Sequence, residues 1–222
     1  DAHATAGSDP HGRDAGRLPG VGAFWKVPIM KPPVTAFTLE ELQAQGVRQL
    51  VLLFWLSAAA IGLMGIAVSS PVTMSAFAVA VGANIVPTLY LRAGDHGRQA
   101  RIAIGITAAL QPAALVYLFQ LQPWQMDMHM YFFVGMAALT LMCDWRALAA
   151  AAAVTAVHHL LFSFLAPEWV FAGGGKLVRV GIHALAVSLQ FAALAILVER
   201  LRALLLLQQR QGQESDRMTV KA

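Results

Sequence analysis

Asp127, His129, His158, His159 and His183 all fall within long runs of apolar side chains. An ionisable group in hydrocarbon is costly, so each marks a functional position by default. Neutral imidazole is a good ligand for Cu, Zn, Fe and Ni. These five residues are therefore expected to form a centre for a metal ion (Cu, Fe or Zn) or a haem, with Asp127 either a further ligand or the acceptor that orients His129. Met126, Met128 and Met130 flank His129 and would favour Cu(I) through their soft sulfur. Alternate residues on a helix diverge by about 200°, so at most two of the three can face one site. His158 and His159 diverge by about 100° and share a site only if it lies between their directions. Two other readings compete: a purely hydrogen-bonded polar cluster, and a proton relay.

These residues can meet only if the elements carrying them bring them to one level. The chain is 58% hydrophobic and only 13% charged, about half the charge of a soluble domain. Its apolar residues are concentrated between Leu50 and Leu207. Runs of about 20 such residues match a ~30 Å hydrocarbon core at 1.5 Å per helical residue. The expected fold is all-α and polytopic, with six transmembrane helices over Leu50–Val68, Val72–Leu91, Arg101–Leu121, Met126–Met142, Trp145–Leu165 and Leu177–Leu207. Residues 1–37 read as a flexible tail, in which His3 and His11 are solvated side chains; 38–207 form the membrane domain and 208–222 a second polar tail. Thr38-Leu39-Glu40-Glu41 is a capping box that should open a short interfacial helix leading into the first span. Asn84 with Pro87, and Gln111 with Pro112, should face protein, because a proline frees a carbonyl that a neighbour must satisfy.

Basic residues set the orientation. Lys26, Lys31 and Arg48 precede the first span, Arg92, Arg98 and Arg101 follow the second, Arg146 follows the fourth, and Arg200, Arg202 and Arg210 follow the last. Only Lys176 and Arg179 break the trend. Both termini are thus expected in the cytoplasm, with the chain a multi-pass protein of the bacterial inner membrane. Its net charge of +4 serves this orientation and does not indicate nucleic acid. In this topology His129 lies ~6 Å, His183 ~9 Å, and His158 and His159 ~11 Å below the outer ends of their helices. Three adjacent spans then present imidazoles at one level.

Asp144, Trp145 and Arg146 read as a structural turn, with Asp144 capping the fifth helix. Cys143 lies on the opposite side of the bilayer from the histidines. Phe171–Lys176 is a glycine-rich turn without the spacing or preceding strand of a phosphate loop. No nucleophile–base arrangement or dinucleotide fingerprint is present. Leu201, Leu204, Leu205 and Gln208 share a helical face, either for weak coiled-coil pairing or as a frayed helix end.

PWQMDMHMYFF at 123–133, CDWR at 143–146, VHHL at 157–160, Val170-Phe171, Arg179-Val180 and His183-Ala184 together resemble the membrane-embedded sensory region of certain proteobacterial methyl-accepting chemotaxis proteins. The resemblance is close over roughly 122–204 and rests on layout alone before that. It implies six spans ahead of a long cytoplasmic coiled coil that engages the chemotaxis kinase. That coiled coil is absent from this sequence, since only fifteen residues follow Leu207. The expected function is a sensory or ligand-binding module, a homodimer or a subunit of a larger membrane complex, more like a receptor than an enzyme. A metal- or haem-dependent redox subunit and an accessory structural subunit are the alternatives.

Overall fold

The computed structural model describes residues 38–171, 173 and 177–220. The expectations for the tail 1–37, including His3, His11, Lys26 and Lys31, and for Lys176 lie outside the described residues. Among these, every element is helical: α1 (Leu39–Ala67), α2 (Thr73–Arg92), α3 (Arg98–Leu118), α4 (Gln125–Met128), α5 (Met130–Ala138), a 3₁₀ turn (Leu139–Met142), α6 (Trp145–Leu165), a second 3₁₀ turn (Pro167–Trp169) and α7 (Leu177–Val220). Five of these helices, α1, α2, α3, α6 and α7, are long and apolar enough to cross a membrane.

The capping box forms as expected: the Thr38 amide donates to Glu41 Oε2 at 2.8 Å and the Glu41 amide to Thr38 Oγ1 at 3.1 Å. The helix it opens is not a separate interfacial piece. It runs unbroken for 29 residues, because no proline interrupts it and Gly46 lies where a Cβ would come 2.8 Å from the Leu141 carbonyl oxygen. The expected fourth span, by contrast, is not a single helix. The His129 amide bonds Met126 O at 3.2 Å, an i−3 contact that tightens the chain between α4 and α5. At the other end the left-handed Cys143 (φ +47°) turns the 3₁₀ segment into α6. α7 also departs from expectation. It spans 44 residues, about 66 Å of helix, and so absorbs most of the segment read as a polar C-terminal tail.

α3 is the central helix. Of its most apolar stretch 67% is buried, against 33% or less for the other four. Small residues make this possible. At Gly105 any Cβ would collide with the Ala147 carbonyl of α6, and at Gly135 one would lie 2.7 Å from Ala108 O. Such close backbone approach is how helices associate where lipid offers no hydrophobic drive.

The two prolines are matched by partners on neighbouring helices. Pro87 has no N–H for the Ala83 carbonyl, and Thr107 on α3 donates its hydroxyl there at 2.8 Å. Pro112 likewise leaves Ala108 O, against which Gly135 packs. Asn84 donates to Phe54 O at 3.0 Å and Gln111 to Ala80 O at 3.0 Å. A polar seam thus joins α1, α2 and α3.

The bundle has two recognisable ends. At one, Ser70 bonds the Leu118 carbonyl (2.9 Å) and Tyr117 packs on Trp169 with ring centroids 4.8 Å apart. At the other, Arg101 Nε reaches Asp144 Oδ2 at 2.7 Å, both side chains being largely buried. Asp144 also accepts from the Arg146 amide at 3.0 Å, capping α6 as expected. Trp145 and Arg146 stack beside it, the guanidinium 5.4 Å from the indole.

If Thr107 exists to satisfy the carbonyl freed by Pro87, its value depends on the proline. Thr107→Val should destabilise the protein by roughly 0.6–1.7 kcal/mol in a detergent unfolding titration. In a Pro87→Ala background, where the helix supplies its own N–H, the same substitution should cost much less. Equal costs in both backgrounds would remove this account.

Candidate metal centre

His129 stands at the break between α4 and α5, His159 is six residues before the end of α6, and His183 is six residues into α7. All three sit near the Trp169 end of the bundle. Gln125 helps hold α4 there by donating Nε2 to the Glu168 carbonyl at 2.8 Å. The three rings form a nearly equilateral triangle, with centroids 5.5 Å (His129–His159), 5.4 Å (His129–His183) and 5.5 Å (His159–His183) apart. One nitrogen from each lies within 4.8 Å of the other two.

Each Nδ1 is engaged in the same way, with the carbonyl four residues earlier on its own helix. His129 pairs with Gln125 O at 3.0 Å, His159 with Thr155 O at 2.9 Å and His183 with Arg179 O at 2.9 Å. A carbonyl only accepts, so each Nδ1 must carry the hydrogen and each Nε2 keeps its lone pair. Nε2 of His129 and of His159 is buried with no hydrogen-bond partner. Metal-ligating histidines characteristically donate their other N–H to a carbonyl or carboxylate, which sets tautomer and ring orientation. Here backbone carbonyls supply that support three times.

An ion held tetrahedrally at ~2.0–2.1 Å would place its ligand nitrogens about 3.3 Å apart. The three imidazoles can therefore hold one ion after a contraction of up to about 1.5 Å for the widest pair, within reach of small ring rotations. A haem held between two axial histidines of the triad does not fit. In a near-equilateral triangle the plane midway between two rings, where a macrocycle with two axial histidines would lie, contains the third ring.

The other expected ligands are not part of the triangle. Asp127, expected as a ligand or as the acceptor orienting His129, is instead exposed, because two positions along a helix turn it about 200° from His129. His158 is not among the converging rings and packs against Phe162 at 5.2 Å and Phe132 at 5.8 Å. The near-100° step between adjacent helical residues separates it from His159. Met130 is exposed, Met128 joins the cluster around Ala58 and Phe132, and Met126 packs with Val170, Phe171 and Val180. Cys143 lies at the Asp144 end, away from the triad.

Two residues not singled out as site residues shape the centre. Phe171 touches all three imidazoles, with centroids 5.6 Å from His129, 5.9 Å from His159 and 5.2 Å from His183, and stacks on His129 within 4° of parallel. The Arg179 guanidinium covers Phe171 at 5.4 Å. Gln125, fully buried, both anchors α4 and offers its carbonyl to His129. A polar glutamine at the start of an apolar run was the available signal.

The hydrogen-bond pattern makes a direct prediction for ¹⁵N NMR of imidazole-labelled protein in nanodiscs. His129, His159 and His183 should all be the Nδ1–H tautomer without added metal. An Nε2–H form at any of the three would break the tripod of lone pairs. No family model, curated protein or solved structure matches this chain, so the chemistry of the triad is the ground for a functional reading.

Proposed function

We propose that this chain is a membrane-embedded sensory module that receives its signal as a single metal ion on Nε2 of His129, His159 and His183. The observation that carries the reading is the convergence of three imidazoles whose Nδ1 atoms are all committed to backbone carbonyls. Such an arrangement has no packing rationale for its buried, unpaired Nε2 atoms, since an unsatisfied polar atom in hydrocarbon is destabilising. Charge favours monovalent copper among Cu, Fe and Zn. The ligands are neutral and Arg179 is near, so a +1 centre is less costly to bury than a +2 centre.

The module crosses the bilayer six times in this reading. Gln125–Met142 counts as a crossing because it runs from Glu168 at one end to the Asp144 turn at the other, about 27 Å over 18 residues. Interrupted helices of this kind are tolerated where the freed backbone is buried in protein, and often mark ion sites. Both termini face the cytoplasm of a bacterial inner membrane, as the basic residues require. Contraction of the triad draws α4–α5, α6 and α7 together, and the continuous α7 carries the displacement toward the cytoplasm; shifts of 1–2 Å suffice for such switching. Exposed Leu201 and Leu204 on α7 suit pairing with a second copy. The motif resemblance to chemoreceptor sensory regions supports the same reading.

The test uses protein purified without a histidine tag, with His3→Ala and His11→Ala so that tail imidazoles do not count. Anaerobic loading should give about one Cu⁺ per chain, retained in competition with a chromogenic chelator. His159→Phe or His183→Phe should weaken it by roughly 100-fold or more, beyond the 10–100-fold typical of losing only an orienting partner. His158→Phe should bind normally. Spin labels at Gln208 should report a changed distance between copies when copper is added. Failure of copper binding removes the metal reading; binding with unchanged labels removes the sensory one.

A further inference from the structure

The triad is closed on one face and open on the other. Phe171, from the connection between α6 and α7, covers all three rings at the Trp169 end. On the opposite side, a cavity of about 240 Å³ runs between α6 and α7 with His159 and His183 in its wall. Its other lining residues lie mainly one or two turns further toward the Asp144 end. They include Ala152, Ala156, Ala184 and Val187, and the polar exceptions are Thr155 and Ser188. The Thr155 hydroxyl is already committed to Ala151 O at 2.8 Å. No charged side chain lines this space.

Among the described residues, the cluster of possible metal ligands at this point is the three histidines alone. Three protein ligands are the pattern of sites that keep a position for an external molecule, whereas structural sites close with four. We propose that this fourth position faces the cavity between α6 and α7 and takes a small uncharged molecule arriving from the membrane phase. The inference rests on the metal reading above. Ala156 and Ala184 are exposed on the sides of the two helices that border the cavity, so the route begins in lipid. A charged ligand would have to shed its hydration there with nothing to replace it. An uncharged molecule with a donor lone pair pays no such penalty and coordinates directly. The molecule is then a second ligand of the centre, bound through the ion that carries the signal.

Carbon monoxide is the probe, because it is uncharged, enters lipid and reports Cu⁺ ligation by its infrared stretch. Cu⁺-loaded protein in phosphatidylcholine nanodiscs should give a carbonyl band absent from metal-free protein. Ala156→Phe and Ala184→Phe fill the cavity while leaving all three imidazoles in the sequence, so copper content should stay unchanged. Rebinding after flash photolysis should slow by roughly tenfold or more, as access comes to limit the rate. Full copper loading without a carbonyl band would mean that a protein atom closes the fourth position. A band whose rebinding neither substitution slows would mean that the ligand uses another path. Either result overturns this inference and leaves the metal site standing. Loss of copper binding in the unsubstituted protein would overturn both.

Discussion

An imidazole surrounded by hydrocarbon has two ring nitrogens to satisfy and one carbonyl within easy reach on its own helix. At His129, His159 and His183 that carbonyl is the one four residues earlier, and it takes Nδ1. The consequence is an Nε2 without a hydrogen at each of the three, buried and unpartnered at His129 and His159. Three leftover acceptors brought to one level cannot satisfy one another, since none carries a hydrogen. The arrangement invites something electron-poor, and the rest of the structure sets which faces of the triangle it can be reached from.

Aromatic packing gives the centre its asymmetry. Phe171 lies against all three rings and is itself covered by Arg179, while Phe132 stands 5.1 Å from His159 and 6.2 Å from His129. These aromatic rings crowd the triad, whereas a cavity of about 240 Å³ borders it between α6 and α7. α7 is also the most exposed of the long helices, with 11% of its most apolar stretch buried. It is tied to the bundle at few places, among them the bond from Gln190 Nε2 to Phe133 O at 3.1 Å.

The opposite end has the contrary character. Arg101 and Asp144 form a largely buried ion pair with the more exposed Arg146 beside it, and Gly105 presses α3 against α6 too tightly to admit a side chain. Removing one member of a buried pair typically leaves an uncompensated charge worth ~3–5 kcal/mol. The carbonyl freed by Pro87 is satisfied by Thr107, and the Asn84 and Gln111 side chains bond backbone of neighbouring helices, so a polar seam ties α1, α2 and α3 together.

Much of this was legible in the amino-acid sequence. Long apolar runs required helices of bilayer length, the Thr38–Glu41 box placed the first helix start, and Asp144 announced the start of α6. Antiparallel alternation was enough to bring His129, His159 and His183 to one depth, because rise per residue converts position into height. Rotation about each helix axis was not legible. Whether His158 or His159 turned inward, and whether Asp127 joined His129, depended on how neighbouring helices packed at Gly105 and Gly135 and on the tightened turn at His129. The break in the fourth segment and the role of Phe171 were likewise tertiary outcomes. The first follows a backbone bond that shifts to Met126, the second a loop residue folded back over rings from three helices. Hydrophobic pattern acts along the chain and so decides length and depth; azimuth and closure are decided only when side chains compete for the same space.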